Sequence, residues 1–268
     1  MRKHLMLFIF LSSAIALLAQ EPYTCEKNIC YLQKNGITDY EKGKCTLDIY
    51  YPNNKKKFKT IVWFHGGALM AGDKEIPERF KNAGVAVVGV GYRLYPKVKS
   101  PAYIQDVAKS VAWTFKNIEK YGGDPSQIYV AGHSAGGYLT LMLALDKKYL
   151  ADEGIDADSI KCYFPISGQT ATHYTIRKER GISMDIPIVD NMAPLNNVRK
   201  LATKMIIITG GRSKEQMARY EENAYLKAVL EGIGNKNIPL YELEGFDHVS
   251  VASPACELII NLLKERSF

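Results

Sequence analysis

The run IYVAGHSAGGYLTLMLAL, residues 128–145, holds the residues best placed to do chemistry. Within it Gly132-His133-Ser134-Ala135-Gly136 has the form G-x-S-x-G, between a short β-branched and aromatic run and a helix-like apolar one. In that context the glycines let backbone crowd around a tight strand-to-helix turn, which holds a serine hydroxyl exposed at the edge of a sheet. Such a hydroxyl is suited to attack an acyl carbon. It needs a base to take its proton, a carboxylate to orient the base, and N–H donors for the oxyanion.

Of the five histidines, His4 lies in an N-terminal leader, His65 precedes a glycine pair and His133 adjoins Ser134 but points elsewhere in the turn. Only His173 and His248 follow the serine, as the chain order serine, acid, histidine requires. His248, in LYELEGFDHVS, comes just after a strand-like run and before a helix-like one, so its loop can reach the carboxyl edge of a sheet. It is the predicted base. His173 falls in an irregular stretch and reads as a pocket or surface residue. In IIITGGRSKEQ, Glu215 is the first carboxylate after an apolar run and is the predicted acid. Glu221 and Glu222 fall on the following helix, Asp247 is too near His248 in sequence to sit behind its ring, and Asp185 and Asp190 are outside candidates. For the oxyanion, IVWFHGGALMAGDK ends a strand at His65-Gly66-Gly67, where missing side chains let backbone N–H groups approach a carbonyl. The N–H of Ala135 completes that set.

These groups need a sheet to bring them together. Strand-like runs fall at residues 47–51, 60–64, 85–90, 128–131, 160–166, 205–209 and 239–243. Ile104, Val107, Ala108, Val111, Ala112, Phe115 and Ile118 recur at helical spacing and predict a helix over 101–121. Further helices are predicted at 135–145, 216–230 and 254–264. This alternation predicts an α/β fold, a mostly parallel sheet with helices on both faces. Residues 168–199, with weak periodicity and prolines at 187 and 194, read as a small substrate-binding cap insertion.

WFHGGALMAGDK, GYRLYP, the stretch from PAYIQDVAKS to LTLMLAL, and GFDH together resemble the α/β-hydrolase superfamily over roughly residues 40–265. The resemblance is to the branch of bacterial acyl esterases related to hormone-sensitive lipase, with carbohydrate-acyl esterases and kynurenine-formamidase-like enzymes as near relatives. It implies Ser134 as nucleophile, His248 as base, and oxyanion donors from Gly67, Ala68 and Ala135, with Gly66 in reserve. Three positions depart from the family pattern. Ala68 replaces a third glycine, Gly91 replaces the Asn or Asp before Tyr92-Arg93, and Glu215 stands where an Asp closer to the strand is usual. The Gly91 departure implies a missing hydrogen bond in a supporting loop.

Composition narrows the remaining classes. Arg2 and Lys3 precede an apolar run from Leu5 to Leu18, then Ala19 and Gln20, the pattern of a secretory signal cleaved near residue 19. Residues 20–268 are then expected to form one exported domain, periplasmic or extracellular, with no stable membrane insertion. The net charge of +7 draws partly on Lys55, Lys56 and Lys57, read as a solvated turn. No nucleic-acid motif accompanies it. Five cysteines leave an odd thiol, with Cys25–Cys30 the most local pairing and Cys162 and Cys256 expected to be buried. No metal-ligand spacing occurs, and the chemistry requires no cofactor. The expected function is a secreted serine carboxylesterase acting on small or carbohydrate-linked acyl esters. An amidase or peptidase with the same groups and a non-catalytic binding module are the alternatives. Tyr92, Tyr138, His173, Tyr174 and Arg177 are candidate pocket residues, and no feature fixes an oligomeric state.

Overall fold

The computed structural model describes residues 22–265. The expected secretory signal at residues 1–19 lies outside them. Nine strands form one sheet: β1 (Tyr23–Cys30), β2 (Thr46–Pro52), β3 (Phe58–Phe64), β4 (Ala86–Val90), β5 (Gly123–His133), β6 (Cys162–Ile166), β7 (Lys204–Met205), β8 (Ile207–Gly210) and β9 (Leu240–Leu243). Their order is β1-β2-β4-β3-β5-β6-β8-β9, with the short β7 paired to β6. β1 with β2 and β2 with β4 are antiparallel, and the remaining pairs are parallel. The helices are α1 (Asp39–Lys44), α2 (Ala102–Tyr121), α3 (Ala135–Leu145), α4 (Lys148–Ala151), α5 (Tyr174–Glu179), α6 (Arg219–Gly232) and α7 (Ala252–Lys264).

The parallel strands read as unbroken apolar runs because both of their faces are covered. In β3 the period of two sends Val62 and Phe64 into the core shared with α2 and α3, and Ile61 and Trp63 into the core shared with α7. Within α2, Ile104, Val107, Ala108, Val111 and Ile118 are all buried, and the helix ends at Gly122 in the left-handed conformation. α3 is buried along its whole length and lies directly on the sheet. A Cβ at Gly136 would fall 2.0 Å from the carbonyl oxygen of Phe64, so only glycine allows this contact.

Four expectations need correction. β1 was not expected: YTCEKNIC is mostly exposed on both faces and shows no clean alternation. Its register slips between Glu26 and Ile29, which twists and blunts the sheet edge. The run at 205–209 is broken into β7 and β8. Cys25 and Cys30 face Tyr50 and Thr46 along one extended strand, roughly 16 Å apart at ~3.3 Å per residue, far beyond disulfide reach. Both are free and exposed, whereas Cys45, Cys162 and Cys256 are free and buried. Finally, the first half of the 168–199 segment is not a surface lid. Gln169 to Arg177, apart from Tyr174, are buried, and only the part beyond them is largely exposed. Among the described residues, no helix is long and apolar enough to cross a membrane.

Candidate active site

Ser134 sits between β5 and α3 with φ 56° and ψ −113°, a backbone state that a non-glycine residue holds only when its surroundings impose it. Its N–H donates to the Ile166 carbonyl at 2.9 Å, its carbonyl accepts from Tyr138 N–H at 2.9 Å, and the residue stays partly exposed. The turn therefore holds the hydroxyl at the carboxyl end of the central strands, where open α/β sheets bind ligands.

His248 follows β9 in a tight loop. The Asp247 carboxylate accepts from Val249 N–H at 3.0 Å and Ser250 N–H at 2.7 Å, so it builds the loop and does not sit behind the imidazole. The His248 Nε2 lies 2.8 Å from Ser134 Oγ, and its Nδ1 lies 2.9 Å from Glu215 Oε2. Glu215 reaches this position from the loop after β8. The loop is pinned beside the His248 loop by the Gly211 N–H, which donates to the Phe246 carbonyl at 2.9 Å. The Glu215 side chain is only 1% exposed. Its other oxygen accepts from the Gly210 N–H at 2.9 Å and from the Ser167 hydroxyl. Burial pushes the Glu215 pKa up, but the hydrogen bonds from His248, Ser167 and Gly210 outweigh it and bring it down to about 2. The carboxylate is thus ionised at neutral pH and faces the Nδ1 that carries a proton. Asp185 and Asp190 lie elsewhere, Asp190 being paired with Arg180 at 2.6 Å. Glu222 accepts from Thr170 N–H at 2.7 Å, and Glu221 pairs with Arg212.

The loop after β3 packs against this arrangement. A Cβ on Gly66 would lie 3.5 Å from that of Ser134, so the loop's backbone adjoins the nucleophile. Gly67, Ala68 and Leu69 all have positive φ. At Gly67, φ is 107° and a Cβ would fall 2.1 Å from the Ala71 carbonyl oxygen, so glycine is required. The Gly67 carbonyl turns away to accept from Met70 and Ala71 N–H at 3.0 and 2.9 Å. Ala135 opens α3, and its N–H is among the first four of the helix, which lack an intrahelical acceptor. Three contacts hold the loop in place. The Thr175 hydroxyl donates to the Ala68 carbonyl, the Tyr95 N–H donates to the Leu69 carbonyl at 2.9 Å, and the Tyr92 hydroxyl donates to the His65 carbonyl at 2.8 Å. His65 stacks on Tyr92 with ring centroids 4.3 Å apart, and burial lowers its pKa to about 4. Tyr92 is therefore a buried support and not a pocket wall.

The Gly91 departure leaves no gap. A Cβ there would lie 2.6 Å from the Lys44 carbonyl oxygen, so an Asn or Asp would not fit, and the Tyr31 hydroxyl donates to the Gly91 carbonyl at 2.9 Å. The supporting loop is held by Arg93, which pairs with the buried Asp106 through two side-chain bonds of 2.8 and 2.7 Å.

Two contributors have no sequence signal of their own. Ser167 follows β6 and reaches Glu215 across 48 positions. The His133 Nε2 lies 2.7 Å from the His248 carbonyl oxygen, which can only accept, so that nitrogen carries the proton. Burial and the neighbouring His248 lower the His133 pKa to about 4, leaving the ring neutral. Of the pocket candidates, Tyr138 is buried and donates to the Met192 carbonyl at 2.8 Å. His173 is buried, not a surface residue, and its Nδ1 accepts the Thr175 N–H at 3.2 Å at the start of α5. Arg177 is buried in the same region, and Tyr174 is only partly buried. Among the described residues, no group of three or more His, Cys, Asp or Glu could hold a metal ion.

A family model, BD-FAE, matches residues 47–221, which include the loop after β3, the G-x-S-x-G turn and Glu215. The chain belongs to the BD-FAE family. Its fold is similar to that of a truncated carbohydrate esterase from gut microbiota, with TM-score 0.71 and 21% identity, covering 93% of this chain and 98% of that one. In sequence it is similar to the esterase LipC of Mycobacterium tuberculosis, 26% identical over 206 residues, 70% of this chain and 50% of that protein. It is also 31% identical over 144 residues to an isoprenylcysteine alpha-carbonyl methylesterase of Arabidopsis thaliana, covering 50% of this chain and 34% of that protein. The chain spans about a third of the length of the first curated relatives it matches.

Proposed function

We propose that this BD-FAE chain is a secreted serine carboxylesterase acting on small or carbohydrate-linked acyl esters. The observation that carries the reading is the continuous relay of hydrogen-bonding distances from Ser134 through His248 to a buried, ionised Glu215, 2.8 and 2.9 Å long. In this mechanism His248 takes the Ser134 proton on Nε2 as Oγ attacks the ester carbonyl. The N–H groups of Gly67, Ala68 and Ala135 receive the oxyanion. His248 then protonates the leaving alcohol, and the acyl group remains on Ser134. A water deprotonated by His248 frees the acid and restores the hydroxyl. Glu215 keeps the imidazole in the tautomer that presents a bare Nε2 to the serine and stabilises the imidazolium that forms. The carbohydrate part of the reading draws on the similarity to a carbohydrate esterase. The one hint of a binding module is the absence of the usual Asp, and Glu215 at 2.9 Å from His248 weighs against it.

The deciding experiment is hydrolysis of a short-chain 4-nitrophenyl ester. Ser134→Ala is expected to abolish turnover, and Glu215→Gln to lower kcat by roughly 10³ to 10⁴-fold in a folded protein. Wild-type protein inactive on both acyl esters and acyl amides would sink the reading, and turnover of amides alone would favour the amidase. Export is tested separately, by locating the protein after cell fractionation and sequencing its N-terminus, expected near Gln20.

A further inference from the structure

Beside the acid side of this site lies a cavity of about 500 Å³, bounded among others by Gln169, Arg177, Val189, Met217, Ala218 and Glu222. Gln169 comes two residues after Ser167, and Met217 two after Glu215, so its walls continue the segments that hold the acid. Arg177 lines it, and a second arginine, Arg219, follows Ala218 of its wall directly in the chain. Arg177, on α5, is 1% exposed; one nitrogen, Nη1, donates to the Ile186 carbonyl, while Nε has no hydrogen-bond partner. Arg219, the first residue of α6, is 2% exposed, and neither its Nε nor its Nη1 has a hydrogen-bond partner. A guanidinium carries five donors and stays charged, so two buried ones with idle N–H groups are strongly under-satisfied.

Glu222 and Asp185 lie close enough to Arg177, and Glu222 and Glu215 to Arg219, to act on them electrostatically, but no carboxylate makes a hydrogen bond to the idle nitrogens. Glu222 Oε2 stands 3.6 Å from Arg219 Nη1, but that oxygen already accepts from the Thr170 and Ala171 N–H groups at 2.7 and 3.4 Å. Asp185 lines the same cavity and is exposed. Glu215 is engaged by His248, Ser167 and Gly210. Ala218 caps α6 without a side-chain acceptor, so the positive end of this 14-residue helix opens on the same space. Gln169 and Tyr225 add polar groups, and the walls that include Pro187, Val189, Leu195 and Met217 are apolar, which suits an organic anion better than a bare inorganic ion.

We infer that Arg177 and Arg219 form a carboxylate-binding subsite beside the Ser134–His248–Glu215 relay, selecting esters that bear a second, anionic carboxyl group. The inference rests on the esterase reading. The planar fork of a guanidinium matches a carboxylate, and idle donors in a buried pocket favour a ligand that supplies the missing acceptors. The extra carboxyl belongs either to the acyl group, as in the half-ester of a dicarboxylic acid, or to the alcohol, as in an acylated uronic acid.

Two substrate pairs separate these sources. Mono-4-nitrophenyl glutarate is compared with 4-nitrophenyl valerate, and O-acetylated glucuronate with O-acetylated glucose. One charged ester is expected to exceed its neutral partner at least tenfold in kcat/KM, mainly through KM. That ratio should fall towards one in Arg177→Gln and recover only in part in Arg177→Lys, which keeps the charge and loses the fork. Ratios near or below one in both pairs, with the neutral esters turned over, overturn the subsite and leave the esterase intact. Should no ester be turned over, the esterase reading fails, and calorimetry on Ser134→Ala decides the subsite without relying on any arginine variant. Glutarate or glucuronate binding more tightly than valeramide or glucose supports it, and the absence of such a difference overturns it.

Discussion

The hydroxyl of Thr175 donates to the carbonyl of Ala68, joining the first turn of α5 to the loop that lies against Ser134. The 168–199 segment therefore clamps the loop carrying the proposed oxyanion donors and is more than a cover. A donor displaced on the order of 1 Å costs up to about a hundredfold in rate. Thr175→Val is predicted to lower kcat by roughly 10- to 100-fold with KM nearly unchanged, and to destabilise the protein by only about 1 kcal/mol. Thr175→Ser should recover most of the rate. A valine variant with wild-type kcat would detach the clamp from catalysis.

Ser167 supplies one of the hydrogen bonds that hold Glu215 ionised. Removing a bond to a charged group costs about 1.5–3 kcal/mol. Ser167→Ala should therefore reduce kcat by between about 10- and 150-fold and raise the Glu215 pKa. The measurement is kcat together with the pH midpoint of acid unfolding, which should move upward; no movement would show that the hydroxyl is dispensable.

His133 holds the His248 loop through the carbonyl of the base itself. His133→Phe keeps an aromatic ring and loses the N–H, and is predicted to lower kcat about tenfold at constant KM. His133→Gln, which retains a donor, should fall between. Because the His133 pKa lies near 4, the wild-type rate profile from pH 6 to 9 should carry no inflection from this ring. Equal rates for the Phe and Gln variants would show that the N–H contributes nothing.

Stability should fall in acid in two overlapping stages. Burial lowers the His65 and His133 pKa values to about 4, and moves that of His173 in the same direction. From pH 6.5 down to about 4 the unfolded chain binds protons on these rings while the folded chain does not, so His65 and His133 each cost up to about 3 kcal/mol, and His173 acts in the same direction. For Glu215, lowered from 4.5 to about 2, the contribution is full above pH 4.5 and is lost as pH falls towards 2. Tm measured at pH 7.5, 6, 5 and 4 should decline continuously below 6.5. A flat Tm over that range would contradict the assigned neutral, buried histidines.

The parts of the site that sequence makes legible are those that sit next to a strand. Ser134, Glu215 and His248 each stand in a loop just after an apolar run, and the runs are local signals. Their order along the chain then limits the choice. Ser167 and His133 are not legible in the same way, since their partners lie 48 and 115 positions distant and a serine or histidine has many other uses. The sheet follows the same division. β3, β4, β5 and β6, covered on both faces, announce themselves as apolar runs. β1, exposed and bulged at the edge, is fixed by backbone pairing with β2 that leaves no hydrophobic imprint. Cys25 and Cys30 look like neighbours by count, and only the extended backbone between them makes them distant.

The separation of 114 positions between Ser134 and His248 also sets a schedule for biosynthesis. At roughly 5–20 residues per second, a ribosome that has added the nucleophile needs about 6 to 23 s more to reach the base. Until Glu215 is added the nascent chain holds a serine with neither acid nor base, and over the last 33 residues of the interval it has the acid but still no base. On the proposed mechanism, then, the growing polypeptide lacks its base until synthesis has passed β9.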